Sequence, residues 1–113
     1  MARIVDINGA LVKQSDVDSI SYSVYLLNEG KPECRRSIRG HANVALNVAD
    51  VLFNQLHKNP HWMEDDKGFN FCWTLLGSRI PSPFELAGRH YLVEIRLVAK
   101  NVPFLVRYRL FVI

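Results

Sequence analysis

The sequence predicts an all-β protein, an antiparallel β-sandwich with one short helix at about residues 48–58. Three observations predict it. Apolar and polar residues alternate over several segments, turn-forming residues separate those segments, and apolar residues recur at helical spacing in a single stretch. Successive side chains of a strand point to opposite faces of a sheet, so alternation indicates a strand with one buried face.

The alternation is clearest in four segments. These are Ser19–Leu27, Gly68–Leu76, His90–Lys100 and Pro103–Ile113. In the second segment the aromatic residues Phe69, Phe71 and Trp73 fall on one face, with Asn70 and Cys72 on the other. We therefore expect the three aromatic side chains at the centre of the core.

The last two of these segments are joined by little more than Asn101 and Val102, which predicts a tight antiparallel hairpin. A two-residue loop at that point would place Glu94 opposite Arg109, a favourable pair. The same register would place Arg96 opposite Arg107, an unfavourable one.

Weaker alternation predicts four shorter strands. These are Ala2–Ile7, Ala10–Lys13, Glu33–Arg39 and Asn43–Val48. Asn8 and Gly9 form a hairpin signal between the first two, and a run of turn formers occupies Asn28–Pro32.

The single helix is predicted where alternation fails. Ala49 with Phe53, and Leu52 with Leu56, recur four residues apart, the spacing of one helix face. Pro60 cannot continue a helix, so we expect the helix to end near Lys58.

Length and composition predict one domain covering residues 1–113, able to fold without disulfides or metals. The first residues show neither a signal-peptide core nor a membrane-spanning run, so we expect cytoplasmic synthesis and no membrane partner. A net charge of +3 favours anionic partners slightly. Cys34 and Cys72 are interpreted as buried free thiols, with a bridge between two sheets as the alternative.

The stretch 87–95, in which Gly88 precedes Tyr91, resembles the entry into the penultimate strand of immunoglobulin-like domains. The resemblance implies that the Tyr91 hydroxyl ties this corner to nearby backbone. Position 93 is valine, so the disulfide of antibody domains is excluded. The strand order also resembles small immunoglobulin-like proteins of bacteriophage virions, such as capsid decoration proteins and the amino-terminal domains of baseplate and fibre subunits.

The densest basic run is a candidate site for nucleic acid or another anion. It consists of Lys31, Arg35, Arg36 and Arg39 and is followed by His41. Arg35 and Arg39 would share one face of a strand and could contact phosphates. The alternative, which we prefer, is a solvated edge strand that carries charge against aggregation, because no aromatic residues interleave with the run.

Catalytic and metal-binding signals are weak. His57 and His61 are four residues apart and precede Glu64, Asp65 and Asp66, but Pro60 argues against the helix that would bring both imidazoles together. We find no nucleophile elbow, cysteine signature or glycine-rich phosphate loop. We therefore expect a protein that is not an enzyme and has no cofactor or metal.

Apolar residues on faces expected to be wet indicate a contact with a partner. Leu105, Phe111 and Ile113 fall on the outward face of the last strand, and Trp62 lies in a loop. The alternative is cover by the helix or the amino-terminal hairpin. The leading hypothesis is a structural or interaction module, a phage virion component, that packs sheet edges and loops against copies of itself, as a homo-oligomer, or against a neighbouring structural protein. The second hypothesis is a nucleic-acid-binding accessory protein that uses the basic run.

Overall fold

The computed structural model describes residues 1–31, 33–75 and 81–113. Its elements in chain order are β1 (Val17–Leu27), β2 (Arg35–Ser37), β3 (Val44–Leu46), α1 (Val48–Val51), β4 (Leu52–His57), β5 (Phe69–Phe71), β6 (His90–Ala99) and β7 (Val102–Phe111). A short 3₁₀ turn at Gln14–Asp16 precedes β1.

Two antiparallel sheets enclose the core. The larger has the order β2-β1-β6-β7, with β3 also pairing β1, and the smaller pairs β4 with β5. Ala2 forms a bridge to Phe71, which attaches the amino-terminal segment to the smaller sheet. The predicted all-β class, an antiparallel sandwich with one short helix, is confirmed.

The core is formed by the side chains that alternation placed inward. Tyr22 and Val24 of β1, and Ile95 and Leu97 of β6, are buried in one cluster with Phe71. Burying side chains of this size contributes roughly 1.5–3 kcal/mol each. On the opposite, outer face Ser23 and Leu27 of β1 are also buried, whereas the odd-numbered residues of β7 are exposed.

The helix is much shorter than predicted. The Asn47 side chain accepts a hydrogen bond from the Ala49 N–H and begins one turn of helix, Val48–Val51. From Leu52 onward the chain is a strand, because pairing with Phe71 buries Leu52 completely. This long-range pairing outweighs the local helical spacing, so the predicted helix over 52–58 is wrong.

The hairpin between β6 and β7 turns one residue earlier than predicted. Lys100 and Asn101 both have positive φ, 50° and 66°, as a two-residue type I′ turn requires. The register then pairs Glu94 with Arg107 and Arg96 with Leu105. The expected pairs of Glu94 with Arg109 and of Arg96 with Arg107 do not form.

The weaker segments are strands over only part of their predicted length. Ala2–Ile7 and Ala10–Lys13 contribute single bridges, Ala2 to Phe71 and Val5 to Leu11, around a turn in which Gly9 has φ 82°. In Glu33–Arg39 and Asn43–Val48 the strands are the three-residue β2 and β3. Gly68–Leu76 yields the three-residue β5. Its last residue, Leu76, and Pro32 of the turn at Asn28–Pro32 lie outside the described residues.

Asn70 joins the amino-terminal segment to β5. Its side chain accepts from the Ile4 N–H at 2.7 Å and donates to the carbonyls of Ile4 and Val12 at 3.0 and 3.1 Å. Alternation predicts this side chain on a polar face, yet it is completely buried. The amino-terminal segment lies over that face, so the three hydrogen bonds replace water.

His41 has a similar role at the other side of the core. It is completely buried, with Nδ1 2.8 Å from the Tyr22 hydroxyl and Nε2 2.7 Å from the Pro81 carbonyl oxygen. A carbonyl only accepts, so Nε2 carries a proton, and in the neutral imidazole Nδ1 is then the acceptor for the tyrosine hydroxyl. His41 is thus a structural residue and lies apart from the exposed basic run that precedes it.

Candidate protein-binding edge of the larger sheet

Strand β7 forms a free edge of the larger sheet. Among the described residues it pairs with β6 alone. Just beyond the strand, the Val112 N–H donates to the Arg89 carbonyl. Arg89 and Val112 are the next pair in the register of β6 and β7, after His90 and Phe111. Hydrogen bonding alternates along an antiparallel strand, so the even-numbered residues of β7 bond to β6. The N–H groups of Leu105, Arg107, Arg109 and Phe111 therefore point away from the sheet.

Pro103 agrees with this assignment. Proline has no N–H, and within sheets it is tolerated where an edge strand turns that position away from its neighbour. Pro103 is odd-numbered and pairs with Val98 in the β6–β7 register. It thus occupies an outward position, and no ladder bond is lost.

The side chains of the outward residues are exposed on the outer face. Leu105 and Phe111 expose 48% and 56% of their surface, and Ile113 is fully exposed. The Phe111 ring contacts His90, its partner across the hairpin, with ring centroids 4.9 Å apart. The amino-terminal segment reaches β7 on the opposite face, where the Tyr108 hydroxyl donates to the Met1 carbonyl at 3.0 Å. The alternative in which the helix or the amino-terminal hairpin covers these residues is therefore wrong.

A carboxylate and two arginines organise the charge on this face. Glu94 lies 2.8 Å from Arg107 and 3.6 Å from Arg35, and its side chain is only 15% exposed. The Arg35 guanidinium also stacks 4.0 Å above the Tyr25 ring. Arg96 and Arg109 are exposed and form no ion pair within the described part of the chain. The face thus keeps an excess of positive charge after its internal pairs are formed.

The basic run does not form one stripe. Arg35 lies on the outer face with Glu94, whereas Arg36 and Arg39 line a cleft of about 550 Å³ together with Pro81 and Glu85. Arg39 follows the end of β2, so the prediction that it shares a strand face with Arg35 is wrong. Lys31 is exposed in the preceding turn.

Trp62 is held by its own loop. Its indole Nε1 donates to Asp65 at 3.1 Å, and its ring packs 5.7 Å from that of Phe69. The side chain is half-buried, so Trp62 offers less surface to a partner than its position in a loop predicts.

Asp65 is the centre of that loop. Its carboxylate accepts the Trp62 indole N–H and the backbone N–H groups of Lys67 and Gly68, and it lies 2.6 Å from the Arg3 guanidinium. The Trp62 hydrogen bond first, then those of Gly68, Arg3 and Lys67, hold the pKa of this carboxyl well below its ordinary value of 3.8.

This lowered pKa predicts loss of stability in acid. A carboxyl with a depressed folded-state pKa contributes stability above its ordinary pKa, and that contribution is lost as the pH falls below about 4. We expect Asp65→Asn to lower the urea midpoint at pH 7. The difference in urea midpoint between this variant and the wild type should narrow as the pH falls from 4 to 2.5. Asp66→Asn, an exposed neighbour, is the matched control and should change little at pH 7. A difference in urea midpoint between Asp65→Asn and the wild type that does not change with pH would contradict the lowered pKa of Asp65.

Tyr91 occupies the corner that the sequence singles out. Its hydroxyl accepts a hydrogen bond of 2.9 Å from the Leu86 N–H, five residues upstream, and its ring meets the edge of Phe84 at 5.3 Å. The hydroxyl therefore ties the turn before β6 to the core, as a tyrosine corner does.

The remaining candidate residues do not form a reactive group. The His57 ring packs 4.4 Å from that of Phe53, and no set of three or more metal-ligating side chains occurs among residues 1–31, 33–75 and 81–113. Cys34 and Cys72 are both free thiols, so the bridge between sheets does not form. Cys34 is exposed, which corrects the expectation that it is buried, and Cys72 is half-buried.

Comparisons with protein-family models, curated proteins and solved structures found no match for this chain. In the part of the chain that the structure describes, no helix is long and apolar enough to cross a membrane. The resemblance to immunoglobulin-like phage proteins stays a prediction.

Proposed function

We propose that this protein is a non-enzymatic structural and interaction module, a component of a larger assembly of the kind found in bacteriophage virions. It joins a neighbouring structural protein, or copies of itself, through its sheet edges and loops. The observation that carries the proposal is the free edge of β7, whose outward N–H groups and exposed Leu105, Phe111 and Ile113 lie together.

The physical argument is that such an edge is a template. Unpaired N–H and C=O groups along a strand can pair with another chain, and natural proteins limit this with short, bent or covered edges and with proline or charge on the edge. β7 carries Pro103 and the charges of Arg107 and Arg109, which oppose pairing with a like-charged edge. β7 runs uninterrupted over Val102–Phe111, opposite β6 without a bulge. A partner strand would cover Leu105 and Phe111, each worth roughly 1.5–3 kcal/mol when fully buried.

The nucleic-acid hypothesis receives less support. It needs Lys31, Arg35, Arg36 and Arg39 to act as one basic stripe, and these residues are divided among the turn before β2, the outer face and a separate cleft. Arg35 is also paired with Glu94, which lowers its value as a phosphate ligand.

The test is the native size of the chain in an extract of the cells or particles that produce it. We expect the wild-type chain to elute well above its 13.0 kDa mass in a form that resists nuclease. The double variant Leu105→Ser, Phe111→Ser should elute as the free chain, and Leu56→Ser, exposed on β4 of the smaller sheet, should behave as wild type. Elution of wild type as a free chain, or as a complex that nuclease dissolves, would contradict the proposal.

A further inference from the structure

The free edge of β7 presents an ordered pattern. The four residues whose N–H groups point outward read apolar, basic, basic, apolar: Leu105, Arg107, Arg109 and Phe111. All four are exposed, and their side chains lie on the outer face of the sheet. A strand added to β7 would place one of its own side chains opposite each of these, two residues apart.

The charge around this pattern is unbalanced. Arg35, Arg96, Arg107 and Arg109 lie on the outer face with Glu94, which two of them already hold. A second carboxylate, Glu29, lies at the Phe111 end of this face, against Arg89 and His90. With Arg89 and Glu29 included, five positive charges against two negative leave an excess of three around this edge. Arg109 and Arg96 thus have no carboxylate among the described residues.

We propose that β7 binds an extended acidic segment of a neighbouring protein, which adds to the larger sheet as a further strand. The segment carries two carboxylates spaced two residues apart, opposite Arg107 and Arg109, between apolar residues that cover Leu105 and Phe111. This inference rests on the proposed function and specifies its partner. Main-chain hydrogen bonds supply affinity in strand addition, and alternate side chains supply specificity.

A second copy of the chain fits this edge less well. A twofold pairing centred on Tyr108 would match Leu105 with Phe111, which is favourable. The same pairing places Arg107 opposite Arg109 at two positions, and like charges directly opposite each other destabilise a sheet. An acidic segment retains the apolar contacts and replaces both repulsions with attractions.

The experiment uses two capped peptides and the purified full chain. One peptide is Val-Thr-Glu-Thr-Glu-Thr-Val, and the other has lysine in place of both glutamates. We expect the acidic peptide to bind at least about tenfold more tightly than the lysine peptide and to shift the amide NMR signals of the four outward residues. Its affinity should fall as the salt concentration is raised.

Three variants link binding to the edge. Arg109→Glu should abolish the preference between the two peptides, because each peptide then faces one attractive and one repulsive charge. Leu105→Pro, which removes one outward N–H, should weaken binding of the acidic peptide without unfolding the chain. Lys58→Glu makes the same charge change at an exposed position of another segment and should leave the preference unchanged.

Several results would overturn the inference. Equal binding of the two peptides, an equal effect of Lys58→Glu, or displacement of the acidic peptide from β7 by a single-stranded oligonucleotide would exclude an acidic protein segment. A purified chain that forms a β7-dependent oligomer and ignores both peptides would also overturn it, while leaving the proposed function intact. No binding of either peptide to a monomeric chain overturns the inference, and the native-size experiment then decides the proposed function separately.

Discussion

Gly68→Ala is expected to destabilise the protein severely. A Cβ at this position would lie 2.1 Å from the carbonyl oxygen of His57, and the backbone has φ +104°. The contact is with main chain, so no side chain can move aside. His57 pairs with Phe69 next to this glycine, and relief of the clash must separate β4 from β5. Together the clash and the unfavourable φ should cost at least about 3 kcal/mol.

Gly88→Ala is the matched control. Gly88 also has positive φ, 74°, but a Cβ there would meet nothing within 4 Å. We expect this variant to cost only the conformational penalty, about 1–2 kcal/mol. Urea unfolding of both variants measures the difference. Equal losses of unfolding free energy in the two variants would contradict the close approach of Gly68 to the backbone of β4.

Asn70→Ala is expected to release the amino-terminal segment. Removal of the side chain leaves the Ile4 N–H and the Val12 carbonyl without the partners that they have in the core, whereas the Ile4 carbonyl keeps its hydrogen bond from the Val12 N–H. Each buried unsatisfied group costs about 1–3 kcal/mol, so the total reaches several kcal/mol unless water enters. Water can enter if the segment detaches, and we therefore expect faster proteolysis within residues 1–13 in addition to a lower urea midpoint.

Asn54→Ala provides the comparison for this variant. Asn54 is exposed and accepts one hydrogen bond, from the Gln14 N–H at 2.8 Å. Water replaces this bond at little cost, so the change in unfolding free energy should stay below about 1 kcal/mol. An Asn70→Ala protein with the stability and protease resistance of Asn54→Ala would contradict the role given to Asn70.

The long strands were predictable because each has one buried face. Alternation identified the inward residues of β1 and β6, from Ile20 and Tyr22 to Ile95 and Leu97, and these are buried. Leu52–His57 shows where such reasoning fails. Local spacing indicates a helix there, and only the distant Phe71, which pairs with Leu52, makes the segment a strand.

Buried polar residues were the least predictable part of the fold. Asparagine is usually exposed and histidine is intermediate in burial, so the residue types of Asn70 and His41 do not indicate complete burial. Their burial depends on partners far away in the chain, such as Ile4 for Asn70 and Pro81 for His41. No local pattern in the sequence contains these pairs.

The candidate edge was predictable in part. Leu105 and Phe111 stand out because they are apolar on a face that also carries Arg107 and Arg109. The position of the β6–β7 turn decides which residue lies opposite Glu94. The turn lies one residue earlier than expected, so the residue opposite Glu94 is Arg107 and not Arg109, a shift of two residues. Asn101 is a residue type that tolerates positive φ, which was a signal for the observed turn, whereas Lys100 gave none.

The measurement that tests the central claim most directly is residue-resolved amide hydrogen exchange along β7, in the isolated chain and in its native assembly. The structure predicts slow exchange at Val106 and Tyr108 in both states, because these residues bond to β6. It predicts that Leu105, Arg107, Arg109 and Phe111 exchange rapidly in the isolated chain and become protected in the assembly. If these four amides exchange equally fast in both states, β7 is not the edge through which this protein binds its partner.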